Sequence, residues 1–324
     1  AVICLLFANF GTICAEYAGI SAAGSLIGVP QWISVPAAGV LISLVVVLGS
    51  FHRIERVLLV ISSTLALYIL DGLLAQPDWS AVLSGSIVPR LPLNAAGWIA
   101  LAAALGTTLA PWGLAFIQSY AVDKRITLTS LKLARVDVII GSVLTGVIGL
   151  AIAVACAATL NKAGVHIQDA GDAALALKPL AGQFATVLFG AGLLGASLLA
   201  AAIVPIATAY SIAEGTGEPA SLDLDSHHFQ WFYAAFVGLT VMAVSVVSLP
   251  GLPLIPLIYT SQVVNAVLLP LHVIALQLLA GDGRLMGESR STPAARAAGW
   301  FSITLITACV AALAWLSLIH ISEP

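Results

Sequence analysis

The chain has 324 residues, of which 60% are hydrophobic and only 8% charged, and its mean hydropathy is +1.07. A soluble domain carries about 25% charged residues, because its surface must satisfy water, so this composition excludes a soluble enzyme, a nucleic-acid binder and a disordered chain. The formal net charge of −3 decides little, since in a membrane protein the placement of charge matters more than its sum.

At about 20 apolar residues per crossing, the length leaves room for about nine or ten spans. Apolar runs predict nine helices, at about 1–27, 31–49, 55–75, 95–122, 136–160, 183–212, 229–249, 254–280 and 298–319. Helices are expected because hydrocarbon cannot satisfy free backbone groups, and barrel strands would show alternating ten-residue blocks instead. Gly and Pro punctuate the runs in GVPQW, AQPDW and SLPGLP. The expected fold is therefore all-α and polytopic.

The twelve basic residues divide unevenly. Arg53, Arg56, Lys124, Arg125, Lys132, Arg135, Arg284, Arg290 and Arg296 follow even-numbered segments, whereas Arg90, Lys162 and Lys178 follow odd-numbered ones. The positive-inside rule places the first group in the cytoplasm. The acidic loop EGTGEPASLDLDSHH (214–228) falls on that side too, which the rule tolerates because Asp and Glu weigh little in it.

The fourth segment carries the densest signal. It is longer than one crossing needs, and Pro111 and Gly113 interrupt it beside Thr107 and Thr108. Proline removes a backbone donor and clashes with the preceding turn. Such breaks expose helix ends that bind substrates in transporters, although a kinked packing helix fits the spacing too. Trp112 reads as an interior gate or an apolar filler. Glu16, near the middle of the first segment, is a functional candidate because an intramembrane carboxylate is expensive; a protonated structural residue is the alternative. Asp71, Asp137 and Glu214 lie near segment ends, where solvated or capping roles are expected. Gln262 and Asn265 are three apart and share a helix face, as cation ligands or as interhelical glue. His272 reads as packed, and the adjacent His227 and His228 cannot both face one metal from a helix. Cys4, Cys14, Cys156 and Cys309 are too dispersed for a zinc or redox site and read as small buried side chains. GAGLLGAS (190–197) lacks the Lys-Ser/Thr of a phosphate loop and reads as close helix packing.

The order of these motifs resembles the NRAMP superfamily of metal transporters. GTTLAPWGLAFIQS (106–119) is similar to the family's sixth helix, where Met-Pro-His follows Gly-x-Thr, and AEYAG (15–19) to its third. QPDWSAVLSGSIVPRLP (76–92) resembles the loop between its fifth and sixth helices, and SQVVNAVLLP (261–270) with GRLMGE (283–288) its tenth helix and the following loop. The resemblance implies a LeuT-like fold of inverted five-helix repeats, with the nine segments equivalent to helices three to eleven. The expectation is a single transmembrane domain over 1–319 that lacks the first two family helices. No Asp-Pro-Gly-Asn occurs in the chain, the motif with which the family's first helix holds the metal. Residues 320–324 are expected to be a non-native tail, because SLIHISEP resembles read-through of a sequencing adapter.

Departures from the family pattern shape the functional expectation. Ala110 stands where the signature has Met, and Trp112 where it has His, as in the NRAMP-related magnesium transporters. Loss of the soft thioether suits Mg²⁺, which prefers oxygen and keeps its waters. Ile13 stands where the third helix has Asp, Ile117 where the sixth has a second His, and FQWFYAAFVGLTVMAV (229–244) lacks arginines expected near its start. Glu16 is then a vestige of a proton route. The resemblance implies that Thr107 offers a backbone carbonyl, that Ala110 lines an enlarged site, and that Gln262, with Asn265 as a weaker candidate, approaches the ion.

The leading expectation is a multi-pass protein of the plasma (inner) membrane that takes up Mg²⁺, and also Mn²⁺, without proton coupling. The alternative is a proton-coupled Mn²⁺/Fe²⁺ symporter. An organic-solute permease of the same fold comes next, and a non-transporting receptor or scaffold last. No nucleophile–base set suggests an enzyme, and no cofactor or nucleic-acid partner is expected; the partners are a divalent metal ion and the lipid bilayer.

Overall fold

The computed structural model describes residues 2–48, 56–57, 60, 63, 67–74, 76–88, 94–127, 129–158, 183–218, 221 and 230–321, and no β-strand occurs among them. Two helices open the chain, α1 (Val2–Leu26) and α2 (Gln31–Leu48). Gly28 ends α1 in a left-handed conformation (φ +77°), with Val29 N–H returning to the Gly24 carbonyl at 2.9 Å. This is a glycine C-cap, and the following Pro30 turns the chain into α2. At the far end of α2's neighbour, the Gln31 amide donates to the Val247 carbonyl and satisfies a helix-end acceptor.

Next come α3 (Leu67–Leu74), α4 (Trp79–Ile87), α5 (Ala95–Thr108), α6 (Pro111–Asp123) and α7 (Leu131–Cys156). The rest comprises α8 (Gln183–Thr216), α9 (Gln230–Val247), α10 (Leu254–Gly281), α11 (Gly283–Met286), a 3₁₀ turn (Gly287–Ser289) and α12 (Pro293–Ile321). Seven stretches among the described residues are long and apolar enough to span a bilayer, and Trp231–Val247 is a shorter apolar helix. The chain is thus an all-helical, polytopic membrane protein.

Nine of the 21 residues of the expected third span (55–75), and the last three residues of the expected tail, lie outside the described residues. Two features depart from the sequence reading. The loop at 76–92 contains a helix, α4, because Asp78 caps it by accepting the Ser80 and Ala81 N–H groups at 2.9 and 3.2 Å. The helices α7 and α12 begin at Leu131 and Pro293, earlier than the apolar runs. Their first turns carry Lys132, Arg135 and Arg296, long side chains that extend past hydrocarbon while the backbone stays helical.

Burial grades the helices. The spanning windows of α1 and α8 are 61% and 56% buried, against 11% for α7. So α1 and α8 form the centre, and α7 presents Val136, Ile139, Ile140, Val143 and Leu150 outward. An apolar face of that size is a liability in water and the expected surface in lipid. The central pair is antiparallel: Asn9 meets Thr208 near one end and Leu26 packs by Gly190 near the other. Ile13, Tyr17 and Ile20 of α1 pack with Val35 and Val46 of α2, Val204 of α8 and Phe236 of α9 in one core. The helix α10 lies against α1 on one side and α5 on another. The expected burial of the cysteines holds for Cys14; Cys156 and Cys309 are half-buried, and Cys4 is exposed at the start of α1.

Candidate functional site

The fourth span is broken as its proline suggests. Helix α5 stops at Thr108; Leu109 (φ −124°, ψ 73°) and Ala110 (φ −73°, ψ 134°) are not helical, and α6 restarts at Pro111. The helical partner of the Thr107 carbonyl would be the N–H of residue 111, and proline has none. Ala110 supplies no side-chain cap to α6, so the start of α6 depends on its own backbone: the Gly113 N–H returns to the Ala110 carbonyl at 3.1 Å. The break therefore presents a carbonyl end and an N–H end side by side. Thr107 is exposed and Ala110 half-buried, and a Cβ placed on Gly113 would meet nothing within 4 Å.

The helix α10 closes one side of the break. Gly106 sits so near it that a Cβ there would overlap the Gln262 carbonyl oxygen. Only glycine allows this approach, and it fixes the last turn of α5 beside Gln262. Asn265 Nδ2 donates to Gln262 Oε1 at 3.2 Å and to Thr12 Oγ1 at 2.9 Å. Gln262 Nε2 donates to Ser261 Oγ at 3.2 Å. On α1, Asn9 Nδ2 donates to Thr208 Oγ1 of α8 at 2.8 Å. A run of amides and hydroxyls thus extends from Gln262 beside the break into the protein centre. The structure brings Gln262 and Asn265 together: Asn265 bonds across to α1, whereas the Gln262 side chain bonds Ser261 and Asn265 of its own helix.

Other candidates fall elsewhere. Trp112 is half-buried and packs against the main hydrophobic core. Pro111 is buried and begins α6. Glu16 is half-buried, one turn from Thr12 and on the same face of α1. Ile13 is fully buried in the core and Ile117 is 50% exposed, so the two isoleucines occupy different environments. Asp137 is exposed, and His272 Nδ1 lies 3.0 Å from the Leu268 carbonyl within its own helix. His227 and His228 lie outside the described residues, as does the side chain of Asp71.

Several polar contacts escaped the sequence reading. Glu214 of α8 accepts from Ser119 Oγ at 2.5 Å and from Gln118 Nε2 at 3.1 Å, both on α6. Tyr210 donates to Asp123 at the end of α6. These bonds tie the second half of the broken span to central α8. Asn9 and Thr12 were detectable in principle, since with Glu16 they follow the i, i+3, i+7 spacing of one helix face. Thr208 gave no signal, because a threonine in an apolar run most often bonds its own helix, as its hydroxyl also does to the Val204 carbonyl.

Among the described residues, no three His, Cys, Asp or Glu side chains gather in a metal-holding group. The donors around the break are backbone carbonyls, amides and hydroxyls. Such oxygens suit hard or hydrated cations rather than ions that demand sulfur.

Comparison with known proteins agrees with this arrangement. The profile of the family described as natural resistance-associated macrophage protein-like (Nramp) matches residues 1–316. The chain is 29% identical over 245 residues to a divalent metal cation transporter MntH of Aeromonas hydrophila, covering 74% of the chain and 57% of that protein. It is 26% identical over 239 residues to the protein of the same name in Caldanaerobacter subterraneus, covering 72% and 54%. The chain thus spans little more than half the length of these relatives. An all-helical membrane bundle with a broken span, matched along almost its whole length by one profile, places the chain in the Nramp family.

Proposed function

We propose that the protein carries a divalent metal cation across the membrane, and that the ion passes the break between α5 and α6. The observation that carries this reading is the Thr107 carbonyl, deprived of its helical donor by Pro111 and held beside Gln262 through the Gly106 approach. In this reading the Thr107 carbonyl is an oxygen ligand, Ala110 and Gly113 leave room for the ion, and Gln262 turns its Oε1 from Asn265 toward it. The relatives' name, divalent metal cation transporter, supports the substrate class. A single transmembrane domain over 1–319, the inverted-repeat architecture and a plasma-membrane location belong to the same reading.

Two finer readings differ on the ion and on protons. The relatives' name speaks of divalent metals in general and not of magnesium. It favours ordinary family transport, expected to be proton-coupled uptake of Mn²⁺ or Fe²⁺, over the magnesium branch. That branch keeps one specific support: Ala110 offers no sulfur at the break, and Ile13 and Ile117 carry no titratable group. Uptake by the chain in proteoliposomes with a pH-sensitive dye inside decides between them. Saturable Mn²⁺ uptake with internal acidification, and Mg²⁺ excluded, supports the coupled reading. Mg²⁺ uptake with constant internal pH reverses the choice. Absence of any divalent flux contradicts both.

A further inference from the structure

The crossing of α1, α8 and α10 holds more hydrogen-bond acceptors than donors. Asn9, Thr208 and Asn265 are fully buried there, and Thr12 is nearly so. The Thr12 hydroxyl donates to the Ala8 carbonyl at 3.1 Å, and the Thr208 hydroxyl to the Val204 carbonyl at 2.7 Å. Each hydroxyl oxygen then accepts one amide N–H, Thr12 from Asn265 and Thr208 from Asn9. Since a hydroxyl oxygen has two lone pairs, each keeps one. Asn265 uses its other N–H on Gln262. Asn9 Oδ1 and Asn265 Oδ1 are both buried and receive no hydrogen bond among the described residues.

Four oxygens with unused lone pairs therefore stand against a single unused N–H, that of Asn9. Two bonded pairs stand side by side: Asn9 and Thr12 lie three apart on one face of α1, about 5–6 Å between Cβ atoms, with Thr208 bonded to Asn9 and Asn265 to Thr12. A buried acceptor without a partner is a liability that native proteins resolve with a water or an ion. One water brings two hydrogens and needs acceptance in return, whereas a cation uses every lone pair. Hard cations take Asn carbonyl oxygens as ligands. The four side chains are neutral, and the carboxyl on the same face of α1 is Glu16, one turn from Thr12, so a divalent ion would keep at least one uncompensated charge in a low-dielectric interior. A single charge fits four neutral side chains beside one carboxyl.

We propose that this crossing binds one monovalent cation of sodium's or potassium's size, held by Asn9 Oδ1, Asn265 Oδ1 and the hydroxyl oxygens of Thr12 and Thr208. The ion is distinct from the transported substrate and joins the three helices at the centre of the bundle. It uses no group of the α5–α6 break, although Asn265 also bonds Gln262; its readout, a salt-dependent melting midpoint, is separate from the metal flux that tests the transport reading.

Thermal unfolding of the purified chain in detergent tests it, in NaCl, KCl or choline chloride at equal ionic strength. Sodium or potassium is expected to raise the melting midpoint saturably above choline, on the order of a few degrees, and the larger response identifies the ion. Asn9→Leu and Asn265→Leu should abolish the increment, whereas Thr12→Ser, which keeps the oxygen, should retain it. The same midpoint in all three salts would overturn the proposal, as water then fills the acceptors. So would an increment that survives Asn9→Leu. If the leucine variants do not fold, anomalous scattering from thallium(I) in crystals of the unmodified chain decides. A peak between Asn9 and Asn265 supports the site, and no peak there contradicts it.

Discussion

Pro111 and Pro270 both sit deep in long apolar spans, yet only one of them interrupts its helix. Helix α10 runs unbroken from Leu254 to Gly281 across Pro270, and α8 crosses Pro205 in the same way. At Pro111 the chain stops, leaves two residues non-helical and starts again. A missing N–H is common to all three, so proline alone does not make the break. What differs is the approach. Pro270 follows Ala-Val-Leu-Leu, all helix-compatible, and its neighbours restore the helix. Pro111 follows Gly-Thr-Thr-Leu-Ala, where Gly, at about 1 kcal/mol, and Thr both disfavour helix. Gly106 is also pinned against Gln262. A break forms where a proline coincides with a weak flank and a backbone fixed to its neighbour. Such local conflict is expected at functional sites.

The largest test of that contrast is Pro111→Ala. It returns an N–H to the Thr107 carbonyl and should lower divalent-metal uptake about tenfold or more, the equivalent of about 1.4 kcal/mol. Pro270→Ala should leave uptake near its starting value in the same flux assay; equal losses would erase the distinction between the two prolines. Gln262→Leu keeps the volume but removes the oxygen. A charge-assisted contact is worth about 1.5–3 kcal/mol, so the half-saturating metal concentration should rise roughly tenfold or more, with maximal rate changed less. Gly106→Ala forces α5 away from α10, at about 1–3 kcal/mol for overpacking, and should lower the melting midpoint. Thr208→Val removes the Asn9 contact and should destabilise by about 1–2 kcal/mol with uptake retained. The smallest expected effect is Gly113→Ala, which faces open space and should leave the melting midpoint unchanged or gain up to about 1 kcal/mol in helix propensity.

Spans were legible in the sequence because apolar length is a property of single segments, and the break was legible because proline acts on its own turn. Pairing was not. Asn265 and Gln262 announced a shared face, but the Asn265 bond to Thr12 depended on α1 arriving beside it. Thr208 looked like any threonine bonding its own helix until Asn9 reached it from 199 residues away. Trp112 left two roles open, and its packing against the core depends on helices distant in sequence. Helix α4 was missed because its cap, Asp78, acts locally inside a stretch too short to span.

The most direct measurement of the break as the ion path is metal protection of Ala110→Cys in a background where Cys4, Cys14, Cys156 and Cys309 are replaced. Labelling by a water-soluble thiol reagent, slowed in a saturable way by Mn²⁺ or Mg²⁺, is the expected result. A thiol that never labels, or one that labels at the same rate with and without metal, would contradict an ion passing between α5 and α6.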